Sequence, residues 1–210
     1  MAELTIKKLI KRYGNNTILE FDEWKVSKGC YWIRGGNGTG KTTLFKILAG
    51  QIPFTGMVNY DGTYLHKAPV EYKSRMSYAE AEPRYPEYLT GNDLLDYVLS
   101  IRKADRSTAA AITDLFRMTT FMGNKVGSYS SGMLKKLSLI LAFTGPADLY
   151  MLDEPLITID QEAATILYQL INLGEKAGKT ILISSHQEID PAGLSLSGIF
   201  KIENQRIIRC

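Results

Sequence analysis

Apolar and polar residues alternate over the first sixty positions, which is the pattern of strands with one buried face. Leu4, Ile6 and Leu9 roughly alternate with polar residues, and a turn is expected at Asn15-Asn16 before a returning strand. Short apolar runs predict further strands at residues 30–34, 57–60 and 76–79. Residues 43–49 predict a helix that Gly50 ends, and a cluster of glycines lies just before it.

The middle of the chain changes to helical spacing. Apolar side chains recur every three or four residues, which predicts helices within residues 94–102, 109–119 and 133–143. The last part predicts strands at 149–152 and 180–184, a helix at 162–176 and a hairpin at 199–208. This order of elements predicts an α/β fold with an inserted helical lobe, whose boundaries lie near residues 82 and 130.

Composition narrows the class of protein. The 210 residues are 45% hydrophobic, enough for one compact domain or two lobes that share a core. The net charge is +3 without a basic block, so we expect no nucleic-acid partner. The longest strongly apolar run, residues 137–143, is far short of the roughly 20 residues that cross a bilayer, and no apolar segment follows the first charges as in a signal peptide. Cys30 and Cys210 have no metal or redox spacing, so a reducing, cytosolic compartment is expected.

The glycine cluster matches the phosphate-binding pattern G-x-x-x-x-G-K-[ST] and stands between a predicted strand and a predicted helix. Glycines let backbone N–H groups turn inward around an anion, and the start of the helix adds its partial positive charge. Lys41 can reach the β- and γ-phosphates, and the Thr42 hydroxyl can bind Mg²⁺. The sequence therefore predicts a nucleoside triphosphate site formed by Gly35, Gly36, Asn37, Gly38, Thr39, Gly40, Lys41, Thr42 and Thr43.

Two adjacent carboxylates end the predicted strand at residues 149–152. In doubly wound folds the carboxyl ends of the strands meet at the ligand crevice. Asp153 therefore suits a contact with Mg²⁺ beside Thr42, and Glu154 suits a general base that polarises water. A solvated acidic turn closed by Pro155 is the alternative, and the phosphate-binding pattern makes it the weaker one.

Two further segments carry weaker signals. Ser130, Ser131 and Gly132 stand at the predicted start of a helix, where their N–H and O–H groups can either cap the helix or bind a phosphate. His186 comes two residues after the predicted strand at residues 180–184, and a single histidine is more often structural than catalytic. Neither segment identifies a function by itself.

Taken in order, these segments resemble the nucleotide-binding domain of the ATP-binding cassette (ABC) ATPases, and the resemblance covers nearly the whole chain. Residues 35–43 are similar to the Walker A motif, and residues 150–154 to the Walker B motif that ends in the catalytic glutamate. The segment from Ser130 to Met133 lies where the family has its signature LSGGQ, before Walker B. By the same resemblance, Asp160 belongs to the D-loop, His186 is the switch histidine, and Tyr13 is the aromatic residue that stacks on adenine.

The resemblance implies a P-loop NTPase core with an N-terminal antiparallel β subdomain and an inserted helical subdomain. We expect one domain over residues 1–210. Residues 1–82 and 130–210 would form the core with the β subdomain, and residues 83–129 the helical subdomain.

The chain departs from the family pattern at two places. In the signature, Ser131 replaces the first glycine and Met133 replaces the glutamine. The glutamine of the family's Q-loop is also missing, and Ala81 stands at that position between Glu80 and Glu82. These changes put in doubt the link between the helical lobe and hydrolysis, but not nucleotide binding.

The resemblance implies Mg²⁺-dependent hydrolysis of ATP by a head-to-tail pair, in which each ATP lies between Walker A of one copy and the signature of the other. Lys41 would bind phosphate and His186 would contact the γ-phosphate. Ser130 and Gly132 would act across the pair. The expected partners are a second copy or a homologous ATPase subunit and a separate transmembrane permease subunit. The chain would then be cytoplasmic and peripheral on the inner face of the cell membrane.

Apolar and aromatic residues of the helical lobe have two interpretations. They form either a docking groove for the permease or the lobe's own core, and the sequence leaves both open. The residues are Tyr85, Tyr88, Leu94 and Tyr97.

Three other functions remain as alternatives. A soluble ABC ATPase of translation or DNA repair would usually carry tandem cassettes or long insertions, whereas this chain has one cassette and no basic stripe. A nucleotide-gated regulatory module would bind ATP without useful turnover, which the altered signature favours and Glu154 and His186 oppose. An unrelated P-loop kinase or GTPase would leave the segment at residues 130–133 and His186 unexplained.

Overall fold

The computed structural model describes residues 3–186 and 193–210, in which two sheets and six α-helices are arranged around two apolar cores. The first sheet is antiparallel and has the strand order β2-β1-β4-β5. Its strands are β1 (Glu3–Tyr13), β2 (Asn16–Ser27), β4 (Thr55–Tyr60) and β5 (Thr63–Tyr64).

The second sheet has six strands in the order β10-β9-β3-β8-β7-β6. Neighbours from β9 to β6 are parallel, and β10 pairs antiparallel with β9. Its strands are β3 (Gly29–Arg34), β6 (Met76–Ala79), β7 (Leu149–Asp153), β8 (Thr180–Ser185), β9 (Leu196–Glu203) and β10 (Arg206–Arg209). Since parallel strands point the same way, the carboxyl ends of β3, β6, β7 and β8 lie along one edge of this sheet.

Helices cover the second sheet and fill the segment between β6 and β7. They are α1 (Lys41–Leu48), α2 (Pro69–Ser74), α3 (Gly91–Arg102), α4 (Arg106–Leu115), α5 (Ser131–Phe143) and α6 (Gln161–Lys176). Two 3₁₀ turns, Thr119–Phe121 and Val126–Ser128, connect α4 to α5. Within residues 3–186 and 193–210, no helix is both long enough and apolar enough to cross a membrane.

The central strands are buried on both faces, which is why they are continuous apolar runs in the sequence. In β7, Leu152 faces a core shared with α3 to α6, whereas Met151 faces a core shared with α1 and the antiparallel sheet. In β8, Ile183 faces the first of these cores and Leu182 faces the second. The sheet is therefore fixed from both sides, and its edge of carboxyl ends is a rigid base for a site.

Two helices begin two residues earlier than the sequence predicted, because the residue before each of them makes the first hydrogen bond of the helix. The first helix begins at Lys41 rather than at residue 43, since Gly40 adopts the left-handed conformation (φ 106°) and its carbonyl accepts the amide of Leu44 at 2.8 Å. The fifth helix begins at Ser131 rather than at residue 133, because the Ser130 hydroxyl accepts the Met133 amide at 3.2 Å.

Other predicted boundaries shift by a few residues. The first turn lies at Gly14-Asn15 rather than at Asn15-Asn16, since Gly14 has the positive φ (56°) that the turn requires. The second helix of the inserted segment ends at Leu115 rather than at residue 119, and Arg117 follows with φ 54°. The predicted final hairpin about residues 204–205 is confirmed.

Two leucines of α6 test how much the core contributes to stability. Leu167 is fully buried, whereas Leu173 on the same helix is 63% exposed. We expect Leu167→Ala to lower the free energy of unfolding by about 2–5 kcal/mol, because it removes buried methyl groups and leaves a cavity. Leu173→Ala should change it by less than about 0.5 kcal/mol. Urea denaturation measures both, and equal losses would contradict the assignment of this core.

Candidate nucleotide-binding site

The carboxyl ends of the central strands meet at a cleft of about 480 Å³. The loop between β3 and α1 forms one wall, with residues 37–43 facing the cleft. Glu154 and His186, which follow β7 and β8, form the opposite wall. Ala81 and Glu82, which follow β6, also line the cleft. The structure thus brings together candidates from four separate segments of the sequence.

The loop between β3 and α1 has the backbone of an anion cradle. Gly38 and Gly40 adopt positive φ values of 76° and 106°, which let successive N–H groups turn toward one side. A Cβ on Gly40 would lie 3.1 Å from the side chains of Ile18 and Leu19, so β2 also packs closely on the loop. The free amides at the start of α1 add their partial positive charge at the same point.

Lys41 lies at the first position of α1 and is only 6% exposed. Its Nζ donates to the carbonyls of Gly35 at 2.8 Å and Gly36 at 3.1 Å, and lies 3.3 Å from Glu154 Oε1. These three contacts hold the ammonium group inside the curve of the loop. The positive charge of the side chain therefore lies within the loop.

Asp153 is fully buried at the end of β7, next to the start of α1. Its carboxylate accepts hydrogen bonds from Ser184 Oγ at 2.5 Å and from the Tyr78 hydroxyl at 3.3 Å, and it contacts the Thr42 side chain. Burial raises the pKa of Asp153, while Ser184, Thr42 and the nearby Lys135 ammonium oppose the rise. The carboxylate and the Thr42 hydroxyl are oxygen donors of the kind that Mg²⁺ prefers.

Glu154 contacts residues from both sides of the cleft. It is 8% exposed and has a positive φ of 45°, unusual for a residue with a side chain. Its amide donates to Ser184, and its Oε2 lies 3.0 Å from His186 Nδ1 and accepts the His186 amide at 3.2 Å. With Lys41 on Oε1, the carboxylate bridges the phosphate loop and the end of β8. The strained backbone is the kind of feature found at functional sites.

The signature segment lies away from the cleft. Ser130 caps α5 and Asp160 caps α6, accepting the Ala163 amide at 2.8 Å. A Cβ on Gly132 would lie 2.7 Å from the Thr158 carbonyl, so α5 begins packed against the segment before α6. In the described part of the chain, Ser130, Ser131, Gly132 and Asp160 are not among the residues that line the cleft.

Tyr13 also lies outside the cleft in the described part of the chain. It ends β1, is 51% exposed, and has the Lys11 ammonium 4.5 Å from its ring centroid. The ring is therefore accessible for stacking. Its role in binding adenine stays a prediction.

Comparison with known proteins identifies the family. A family model described as "ABC transporter" matches residues 22–157, well over half of the chain. The chain belongs to the ABC transporter family. The fold class predicted from the sequence, an α/β P-loop NTPase, is likewise confirmed, and the chain is an ABC nucleotide-binding domain.

Individual relatives agree with this assignment. The chain is 30% identical over 191 residues to "Uncharacterized ABC transporter ATP-binding protein YybJ" of Bacillus subtilis, which covers 89% of this chain and 87% of that protein. It is 28% identical over 192 residues to "Nod factor export ATP-binding protein I" of Burkholderia orbicola, of which it spans 63%, or less than two thirds. A solved structure titled "Structure of ATP binding subunit of ABC transporter" has a TM-score of 0.89 at 24% identity, covers 99% of this chain and 89% of that one, and shares the fold.

Three residues of this ABC domain take part in the site but were not singled out from the sequence. Ser184 and Tyr78 hold the Asp153 carboxylate, and Lys135 contacts the Asp153 carbonyl from α5. A signal for Lys135 exists, since it lies four residues before the buried Leu139 and therefore on the buried face of its helix. A signal for Ser184 is its place at the polar end of an otherwise apolar strand.

The Ser184 hydroxyl joins β8 to both acidic residues. In Ser184→Ala, the buried Asp153 carboxylate and the Glu154 amide each lose a partner, so we expect the free energy of unfolding to fall by about 1–3 kcal/mol. Ser100→Ala, which removes a hydroxyl from an exposed turn of α3, is the matched control and should have a much smaller effect. Chemical denaturation measures both. Equal stability of wild type and Ser184→Ala would contradict the importance of this hydrogen bond.

Proposed function

We propose that this chain binds and hydrolyses ATP with Mg²⁺ and energises transport through a separate membrane subunit. The observation that carries the proposal is the position of Glu154. It lies between the Lys41 ammonium at 3.3 Å and His186 Nδ1 at 3.0 Å, at the wall opposite the phosphate loop. A carboxylate beside a phosphate-binding loop suits a general base for a water that attacks the γ-phosphate.

Phosphate binding would use the loop at residues 35–43. Its N–H groups and the start of α1 favour negative charge. Lys41 would exchange its contacts with Glu154 and the loop carbonyls for phosphate oxygens. Tyr13, with an exposed ring at the end of β1, would stack on the adenine.

The residues beside the loop fit a magnesium ion. The Thr42 hydroxyl and the Asp153 carboxylate are in contact, and Ser184 and Tyr78 orient that carboxylate. When bound, Mg²⁺ would neutralise charge on the β- and γ-phosphates. The described residues contain no cluster of three His, Cys, Asp or Glu side chains that could hold a metal ion.

Glu154 would accept a proton from the attacking water. Its backbone is fixed by the Ser184 hydrogen bond, and its second oxygen is held by His186. His186 would then be free to contact the γ-phosphate when Glu154 turns toward the water. Lys41, Glu154 and His186 are thus the proposed catalytic residues.

A second copy of the chain, or a homologous ATPase subunit, would complete each site. Ser130, Ser131, Gly132 and Asp160 lie outside the cleft of their own chain, at the starts of α5 and α6. Helix starts bind anions, and a head-to-tail pair would bring these residues to the nucleotide of the partner. ATP would then stabilise the closed pair.

The membrane subunit would be a separate polypeptide. The names of the relatives, which include export and transporter proteins, support a role in transport. Tyr88 and Tyr97 of the inserted helical segment are exposed, whereas Tyr85 and Leu94 pack against the core. Two of the four aromatic and apolar residues are therefore available for docking. The chain would be cytoplasmic and peripheral on the inner face of the cell membrane, without a nucleic-acid partner.

Glu154→Gln tests the proposed base. The amide keeps the size of the side chain and one acceptor oxygen but takes up no proton, so we expect turnover to fall by about 10²- to 10⁴-fold while ATP stays bound and traps the pair. Phosphate release and size-exclusion chromatography with ATP measure the two effects.

Glu23→Gln makes the same change of charge at an exposed ion pair with Lys7 and Lys25, and should hydrolyse ATP like wild type. If Glu154→Gln releases phosphate at the wild-type rate, Glu154 is not the base. If wild type itself binds ATP without releasing phosphate, the chain is a nucleotide-gated module.

A mixing experiment tests whether the sites are shared between copies. Lys41→Ala removes the phosphate ligand and Ser130→Arg blocks the signature segment, so each variant alone should be inactive. In a mixture, each mixed pair has one site with both segments intact, and activity should recover to about a quarter of the wild-type value by random pairing. A mixture as inactive as its parts would contradict the sharing of sites between copies of this chain.

A further inference from the structure

Lys135 is a buried lysine that the proposed chemistry does not use. It lies on α5, two residues after the signature segment, and is 1% exposed. Its Nζ donates to three backbone carbonyls, those of Glu80 at 2.7 Å, Ala81 at 3.0 Å and Asp153 at 2.9 Å. All three N–H groups of the ammonium are therefore satisfied, and by three acceptors from two different segments.

Such an arrangement is costly, so it calls for a reason. Burial lowers the pKa of Lys135 to about 8, even though Asp153, Glu154, Glu80 and Glu82 favour its charged form. A leucine or methionine would fill the same space without that cost. Neither could hold two chain segments at a fixed distance, whereas a lysine with three carbonyl partners does.

The two segments that Lys135 joins both border the cleft. The carbonyls of Glu80 and Ala81 belong to the segment that leaves β6 and leads to α3, and Ala81 lines the cleft. The Asp153 carbonyl belongs to the peptide bond that leads to Glu154. That bond precedes a residue with a positive φ, so its orientation decides where the Glu154 carboxylate lies.

We propose that Lys135 is a positioning residue for hydrolysis. It fixes the peptide between Asp153 and Glu154 against the segment at residues 80–82, and it ties both to the helix that begins with the signature segment. This inference rests on the proposed ATP hydrolysis at Glu154. In this chain, where the Q-loop glutamine is absent, Lys135 is the side chain that links α5, the entrance to the helical segment and the catalytic carboxylate.

Lys135→Met tests the inference, because methionine has a similar length and no N–H donor. We expect kcat for ATP to fall by about 10²-fold, since a small misplacement of a catalytic group has that effect. The Kd for ATP should stay within about threefold of wild type, because phosphate binding depends on the loop at residues 35–43. A loss shared equally by kcat and ATP affinity would mean general damage and would overturn the inference.

A second measurement does not depend on activity. Hydrogen–deuterium exchange of the Glu154 amide, which donates to Ser184, should become about tenfold faster in Lys135→Met as local opening becomes easier. If wild type hydrolyses no ATP, the proposed function fails, and this exchange rate alone decides whether Lys135 positions the segment. An unchanged exchange rate overturns the inference whatever the activity.

Lys179→Met is the matched control. It makes the same substitution at a half-buried lysine paired with Asp148 at 3.1 Å, at the opposite end of the same sheet. Both kcat and the exchange rate of the Glu154 amide should stay at wild-type values.

Lys135→Arg keeps the charge and the N–H donors. If these donors position the peptide before Glu154, the kcat of this variant should lie within about tenfold of wild type. If Lys135→Met does not fold, Lys135→Gln replaces it under the same criteria, and wild-type kcat in that variant overturns the inference.

Discussion

The bridge that Glu154 makes between Lys41 and His186 is the interaction on which the rest of the site depends. One carboxylate joins the first residue of α1, the end of β7 and the end of β8, with contacts of 3.0 and 3.3 Å. The bridge is possible only because parallel strands end along one edge, and because Glu154 accepts a positive φ that turns its side chain toward the loop. The site therefore depends directly on the fold, because the order of the strands decides which charged side chains lie next to each other.

The charges of the site support one another in pairs. Lys41, Asp153, Glu154 and Lys135 are all nearly or fully buried, and each alone would cost several kcal/mol to remove from water. Together they are two cations and two anions, and each also has hydrogen bonds that replace those to water. Removing one of them leaves the opposite charge beside it buried without that compensation. A single substitution here should thus affect stability and chemistry together, and measurements of both are required to separate them.

The sequence predicted the parts of the site that depend on local geometry. The glycine loop, the acids after a strand and the serine at a helix start are each defined by a few adjacent residues, and the structure has the loop and the acids in one cleft. Helix starts were predicted a few residues late, because Gly40 and Ser130 act through backbone and capping contacts that apolar spacing does not reveal. Lys135, Ser184 and Tyr78 could not be connected to Asp153 in advance, since their partners are 18 to 75 residues away.

The separation of the signature segment from the cleft has a physical consequence for how the domain could be regulated. Ser130 and Gly132 lie at one end of α5, and Lys135 holds the same helix to the peptide that carries Glu154. Lys135 lies about 7.5 Å along the helix axis from Ser130, so a displacement of the start of α5 would move Lys135 as well. A partner that binds at Ser130 would then act on the position of Glu154 through α5 itself. Since Lys135 also contacts the carbonyls of Glu80 and Ala81, α5 would connect such a partner to Glu154 without a glutamine at the entrance to the helical segment.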